Sequence, residues 1–523
     1  MNMRRAFFML LALALGLSAT GCSSDRPALQ TTAGSSLQGT SASHETTAVP
    51  TGEPFVYPDD DKDFSAFTSP SEQEAAYDYE TFVLPEPDNG VQPYVGDPMP
   101  YYEDGVFYIY YLKDGGDSHN HSVYLLTTRD FVSYEEHDGP ILESDRNGGQ
   151  DDWIGTGSVV KVGQKYYLFY TGHNGSGAME YNEKIMVAVG DSLTSFEKLA
   201  GWEIVPDPSL GQKTDFRDPQ AYYDPDTGII TLTVTASMQG TARILRYSLN
   251  ADLSGAVYEG ILYSNRSGSF WNLECSDTFR IGDRWYLTYS AQDDTLWFSS
   301  ADSQYGEYTK ARRFEGRLFY AAKHVEDENG SYMVGWARRS SDPSSSEVTA
   351  WAGNLVVQKI VRKENGHLTL EPVGAVADSY DKRRELLLSE DSISLEGSAE
   401  VFNCYESFKL TGKFVCPESG RFGLSFDCGG SAEGCKRVEV DLDYQMLHLL
   451  FDGGSTSVTW VNTDLEPGKS YGFTYIQEGS VGCFYIDGEA AMTVRLYGVS
   501  GRPVSLYAEG CVAELTELRQ YTR

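Results

Sequence analysis

Three carboxylates in this 523-residue chain stand just ahead of strand-like repeats: Asp97 in "YVGDPMP", Asp218 in "FRDPQ" and Glu274 in "NLECSDT". Like charges gathered in one place raise one another's pKa, so such a cluster is costly unless it does chemistry. Two carboxylates that flank a sugar are the groups needed to cleave a glycosidic bond. A third, beside an arginine such as Arg217, can stay ionised and hold substrate hydroxyls. Taken singly, each has a plainer meaning. Asp97 would cap a turn before Pro98, Arg217-Asp218-Pro219 would be a salt-bridged turn into a strand, and Glu274 would pair with a basic neighbour.

What would bring them together is a repeat. "MPYYEDGVFYIYYL", "GSVVKVGQKYYLFYTG", "PQAYYDPDTGIITLTVTA", "SDTFRIGDRWYLTYSA" and "YAAKHVEDENGSYMVGWA" share one form: a short apolar strand, a turn carrying Gly, then an alternating aromatic strand. The first four are each followed by a weaker unit, such as "TTRDFVSYEE" or "SADSQYGEYTKA". Five copies at intervals of about 45 to 60 residues predict four-stranded blades and a five-bladed β-propeller. Propeller blades converge their first strands on a central channel, so acidic residues at those starts meet in one funnel. From about Ser389, short alternating segments separated by Gly-rich turns predict a β-sandwich. The chain is thus expected to be all-β, with the propeller over 53–384 and the sandwich over 385–523. "RKENGHLTLEPV" reads as the hairpin that leaves the propeller.

The remaining composition bounds partners and location. A net charge of -35 disfavours nucleic acid, which would be repelled, and suits a soluble extracytoplasmic protein acting on a neutral or cationic ligand. Arg4 and Arg5 precede an apolar run to Leu17 and then "SATGC", the layout of a secretion signal over 1–22. Its end resembles a bacterial lipobox, which would make Cys22 the lipidated anchor of a membrane-attached, cell-surface protein. Residues 23–52 are rich in Ser, Thr and Gly and read as a flexible tether. Six of the eight cysteines fall in the last 120 residues or so, where 15 disulfide pairings are open; their spacing matches no zinc pattern.

Asp97-Pro98, Arg217-Asp218-Pro219 and Glu274-Cys275, in that order and spacing, resemble the three acidic motifs of glycoside hydrolase family 32, the invertase, inulinase and levanase group. The similarity runs from about Tyr94 to Val373. "TTRDFVSYEEHDGPIL", "WIGTGSVV" with Ser158 on a turn, "GWARR" and "WAGNLVV" fit the same pattern. The resemblance implies a retaining hydrolase of β-fructofuranosidic bonds in fructans or fructo-oligosaccharides, working without a cofactor or metal. Asp97 would be the nucleophile, Glu274 the general acid and base, and Asp218 the residue that grips ring hydroxyls, with Arg217 orienting the carboxylates. Retention requires Asp97 and Glu274 to lie about 5–5.5 Å apart. Trp153, Trp271 and Trp336 flank the motifs and are candidate sugar-stacking faces. Cys275 is expected to pack behind Glu274 and help raise its pKa. His119 and His121 lie in a loop after the first hairpin, where solvated histidines are expected and a contact at the rim is the alternative.

The chain also departs from the family pattern. Gly96 and Met99 stand where Asn residues flank the Asp-Pro pair, Leu112 where a Gln follows, and "HSVYLLTTRD" replaces a Trp-Gly-His step. These positions ordinarily touch the terminal fructose, and losing hydrogen-bonding groups from a sugar pocket is costly for recognition. Two other functions fit the same fold. An arabinan-type glycosidase would invert, with carboxylates about 6.5–9.5 Å apart; the RDP motif argues against it. A non-catalytic glycan-binding lipoprotein would have no need of all three carboxylates.

Overall fold

The computed structural model describes residues 64, 67, 69–115, 121–265, 270–343, 348, 350–388, 390–427 and 435–523. The expected signal peptide with Cys22, the tether, His119 and Cys428 lie outside them. Among the described residues no helix is long and apolar enough to cross a membrane.

The alternating aromatic segments do form strands, in antiparallel groups built by consecutive hairpins. The first group is β1 (Tyr94–Glu103), β2 (Val106–Asp114), β3 (Val123–Thr128) and β4 (Tyr134–Glu136). The second is β5 (Trp153–Val162), β6 (Lys165–His173), β7 (Glu183–Ser192) and β8 (Ser195–Ile204). The third is β9 (Gln212–Asp224), β10 (Ile229–Met238), β11 (Thr241–Asn250) and β12 (Val257–Ser264). The fourth is β13 (Leu273–Ile281), β14 (Arg284–Ala291), β15 (Leu296–Ala301) and β16 (Arg312–Glu315). The last comprises β17 (Phe319–Asp327), β18 (Gly330–Arg339), β19 (Ala350–Arg362) and β20 (Leu368–Glu371).

Turn chemistry explains the hairpins. Between β1 and β2, Asp104 and Gly105 both adopt left-handed backbone (φ 53° and 77°), the geometry a two-residue connection between twisted strands requires. Along each second strand the aromatic and aliphatic residues fill the space between groups, as Phe169, Leu232, Tyr286 and Val334 do.

The first and last groups join. β19 meets β1 at Val95 and Gly353, merging β17–β20 and β1–β4 into one eight-stranded sheet. The first strands also reach across to one another. Lys323 on β17, almost wholly buried, donates from Nζ to the Gly157 carbonyl of β5 at 2.6 Å and to Gln220 Oε1 of β9 at 3.0 Å. Tyr222 of β9 donates to Asp277 of β13 at 3.0 Å, and His324 N of β17 donates to the other Asp277 oxygen at 2.9 Å.

Beyond Glu371 the chain forms a separate eleven-stranded sheet between Lys382 and Thr522, folded around Phe408, Phe414, Phe422, Tyr475 and Leu506. A second core is shared: Ile476, Val481 and Tyr485 of this sheet pack with Phe319, Val334 and Leu355. Buried polar groups bind the two regions as well. Arg495 donates to the carbonyls of Ala337 and Arg338 and to Asn354 Oδ1, and Glu315 accepts from Thr493. Cys404, Cys416, Cys435, Cys483 and Cys511 are free thiols.

Candidate active site

Each acidic motif sits on a break in its strand. The pairing of β1 with β2 slips between Gly96 and Met99, that of β9 with β10 around Arg217, and that of β13 with β14 between Glu274 and Asp277. Asp97, Asp218 and Cys275 take left-handed backbone at these breaks, with φ of 42°, 57° and 51°. Such bulges re-aim side chains out of the strand alternation. Non-glycine residues held in this region cost of order 1–3 kcal/mol each, and they concentrate at functional sites.

The bulges bring the three carboxylates into one hydrogen-bonded cluster. Asp97 accepts from Thr156 Oγ1 at 2.8 Å on one oxygen and from Trp336 Nε1 at 3.2 Å on the other. The Cys275 thiol donates to Thr156 Oγ1 at 3.7 Å, while the Cys275 amide donates to Asp218 Oδ2 at 2.9 Å. The Asp218 amide in turn is held by Thr171 Oγ1 at 2.9 Å. Glu274 is gripped at both oxygens: Arg217 Nη2 donates to Oε1 at 2.6 Å and the Tyr320 hydroxyl donates to Oε2. The other Arg217 nitrogen is taken by Glu183 at 3.2 Å and Asp215 at 3.0 Å.

Electrostatics follow from this packing. Burial pushes Asp97 above the usual carboxylate range; the Glu274 charge adds to the rise, and bonds from Thr156 and Trp336 offset part of it. Asp218 is pushed up to about 7, first by burial and then by Glu274 and Asp97, with Arg217 opposing. Burial would lower Arg217, but Glu183, Glu274 and Asp218 outweigh it, so the guanidinium is held protonated. Burial, and then Glu274, raise the Tyr320 phenol, which therefore stays a donor.

Several sequence expectations change here. Arg217 was expected to pair with Asp218; its hydrogen bonds run instead to Glu274, Glu183 and Asp215. Trp336 is only 1% exposed, so its ring offers no stacking face; its indole N–H orients Asp97. Ser158 lies within strand β5, not on a turn, and is buried. It donates to the Pro219 carbonyl at 3.0 Å and accepts from the Ala221 amide at 2.8 Å, which ties β5 to β9. Trp271 keeps an open face at 46% exposure, with Arg217 set over its ring at 5.8 Å. Trp153 is half-buried against His121, ring centroids 4.5 Å apart. Cys275 packs with Ala321 and Trp336 beneath the cluster.

Thr156, Tyr320, Glu183 and Asp215 went unnoticed in the sequence. The signal for the first two was present, since both stand near the start of a first strand; a search for polar groups of every kind at those starts would have found them.

Comparison with known proteins agrees with the geometry. The chain is 25% identical to sucrose-6-phosphate hydrolase of Escherichia coli over 424 residues, covering 74% of this chain and 83% of that one. Its fold is similar to a family 32 β-fructofuranosidase of Bombyx mori (TM-score 0.65, 18% identity, 87% of this chain and 96% of that chain). It is likewise similar to fructan 1-exohydrolase IIa of Cichorium intybus (TM-score 0.68, 14% identity, 86% and 97%). Residues 91–372 match the family model described as the glycosyl hydrolases family 32 N-terminal domain, and the chain is therefore a glycoside hydrolase belonging to family 32.

Proposed function

We propose that the protein hydrolyses β-fructofuranosidic bonds of fructans or fructo-oligosaccharides with retention, by covalent double displacement. Asp97 attacks the anomeric carbon and forms a glycosyl ester while Glu274 protonates the departing oxygen. Glu274 then takes a proton from water, which attacks the same carbon and releases Asp97. Asp218 holds ring hydroxyls and offsets charge in the oxocarbenium-like transition state.

The observation that carries this is the state of Asp97. Both its oxygens accept fixed donors, Thr156 and Trp336, so the carboxylate is aimed before substrate arrives. Glu274, held by Arg217 and Tyr320, shares the same cluster. The names of the relatives (sucrose-6-phosphate hydrolase, β-fructofuranosidase, fructan 1-exohydrolase) support the substrate class. The strand groups are read as five propeller blades over 53–384, followed by a sandwich over 385–523. Cys22 would carry a lipid that anchors the enzyme outside the cytoplasm.

Reducing-sugar release from levan, inulin, sucrose and arabinan tests the proposal. Asp97→Asn should lower turnover on a fructoside on the order of 10⁴-fold. Activity on arabinan alone, or turnover unchanged by the substitution, would overturn it.

A further inference from the structure

Three of the departures from the family pattern, Gly96, Met99 and Leu112, come together in space. Gly96 pairs with Leu112 across β1 and β2, and Met99 and Leu112 belong to one buried apolar cluster against which Trp351 packs. Met99 accepts the Gly157 amide on its sulfur at 3.0 Å and is itself fully buried.

Trp351 explains the glycine. Gly96 does not have the left-handed backbone that favours glycine, so conformation does not require it. Space does: a Cβ on Gly96 would lie 2.9 Å from Trp351 Cζ3 and closer still to Cη2 and Cζ2. The tip of the indole thus occupies the place of a side chain at position 96, next to the nucleophile. Its placement is braced. His121 stacks on it with centroids 4.3 Å apart and planes 9° from parallel, and Trp153 meets His121 edge-on. Trp336, the donor to Asp97, meets Trp351 at 6.2 Å. Trp351 itself stays partly exposed.

We propose that Trp351, propped by His121, is a specificity-determining wall of the sugar pocket. It replaces amide hydrogen bonds with an apolar aromatic surface. The favoured substrate is then a terminal furanose that turns a C–H edge, not a hydroxyl, towards this side of the pocket. A hydroxyl placed there would be desolvated without a partner. The inference rests on the proposed furanosidase activity.

Kinetics on levan, inulin, sucrose and arabinan test it, with circular dichroism and thermal melts to establish folding. Trp351→Ala should raise KM about tenfold or more on the best wild-type substrate, with kcat within about threefold, and should flatten the ranking of the four. His121→Ala should shift KM the same way by a smaller factor. Gly96→Ala should lower kcat/KM about a hundredfold, and Gly96→Ala/Trp351→Ala should recover at least about tenfold of that loss, because the clash has gone. If Gly96→Ala does not fold, Trp351→Ala, Trp351→Phe and His121→Ala carry the test. An active wild type with KM and ranking unchanged in folded Trp351→Ala overturns this inference and leaves the proposed function standing. A wild type inactive on all four substrates overturns the proposed function, and this inference with it.

Discussion

Asp218 and Glu315 are both buried carboxyls, and burial pushes each up to about 7. Their surroundings separate them. Glu315 lies between the strand groups and the C-terminal sheet and accepts from the Thr493 amide at 2.6 Å, Thr493 Oγ1 at 2.7 Å, Gln358 Nε2 at 3.4 Å and the Gly316 amide. Its donors are fixed protein atoms. Asp218 instead sits on a strained bulge, where Glu274 and Asp97 raise it further and Arg217 opposes them. A raised pKa therefore marks burial, and the company of other carboxylates marks chemistry.

That contrast can be broken most directly at Glu274. Glu274→Gln should lower kcat on the order of 10³-fold, whereas Glu315→Gln should leave kcat within about twofold while lowering the thermal midpoint. Comparable activity losses in steady-state assays would erase the distinction. Next in size is Trp336→Phe, which keeps the packing and removes the N–H on Asp97. A hydrogen bond to a charged group is worth about 1.5–3 kcal/mol, so kcat should fall roughly tenfold to a hundredfold.

The two acids also make pH a test with opposite signs. Unfolded carboxyls titrate near pH ~4, so between about 4 and about 7 the native chain holds protons on Asp218 and Glu315 that the unfolded chain has released. The stability these groups contribute is fully present below pH ~4 and is lost as pH rises through about 7. In the proposed mechanism Asp218 acts ionised, so kcat/KM should climb over the same window. Glu315→Gln should flatten the stability slope and leave the activity limb in place, read by melts and kinetics at each pH. Two curves rising together would contradict the assignment. Within the carboxylate cluster the smallest effect is expected from Cys275→Ala, at most about fivefold in kcat. The amide that binds Asp218 survives, and only a weak thiol contact to Thr156 is lost.

Much of the fold was legible because strands bury alternate residues and hairpins announce their turns. "GDRWYLTYSA" reads as a strand with no knowledge of its neighbours, and β14 covers Arg284–Ala291. The meeting of Asp97, Asp218 and Glu274 was legible for the same reason, since each precedes a repeat. What lay hidden were contacts between groups. Nothing in spacing tells that Arg217 forks towards Glu183 and Glu274 and not Asp218, or that Ser158 bonds to β9. The departures at Gly96, Met99 and Leu112 were visible as missing polar residues. The packing of Trp351 against Gly96 was not, because Trp351 follows Gly96 by most of the region that matches the family.

The bond from Trp336 to Asp97 spans 239 residues, and the strand that clasps β1, at Gly353, comes later still. Asp97 is therefore made early and receives its indole donor late. At translation rates of about 5–20 residues per second, roughly 10–50 s separate the appearance of Asp97 from that of its indole donor. A nascent chain that stalls in that interval can hold Asp97 through Thr156 alone, and the second donor arrives only with the last strand group.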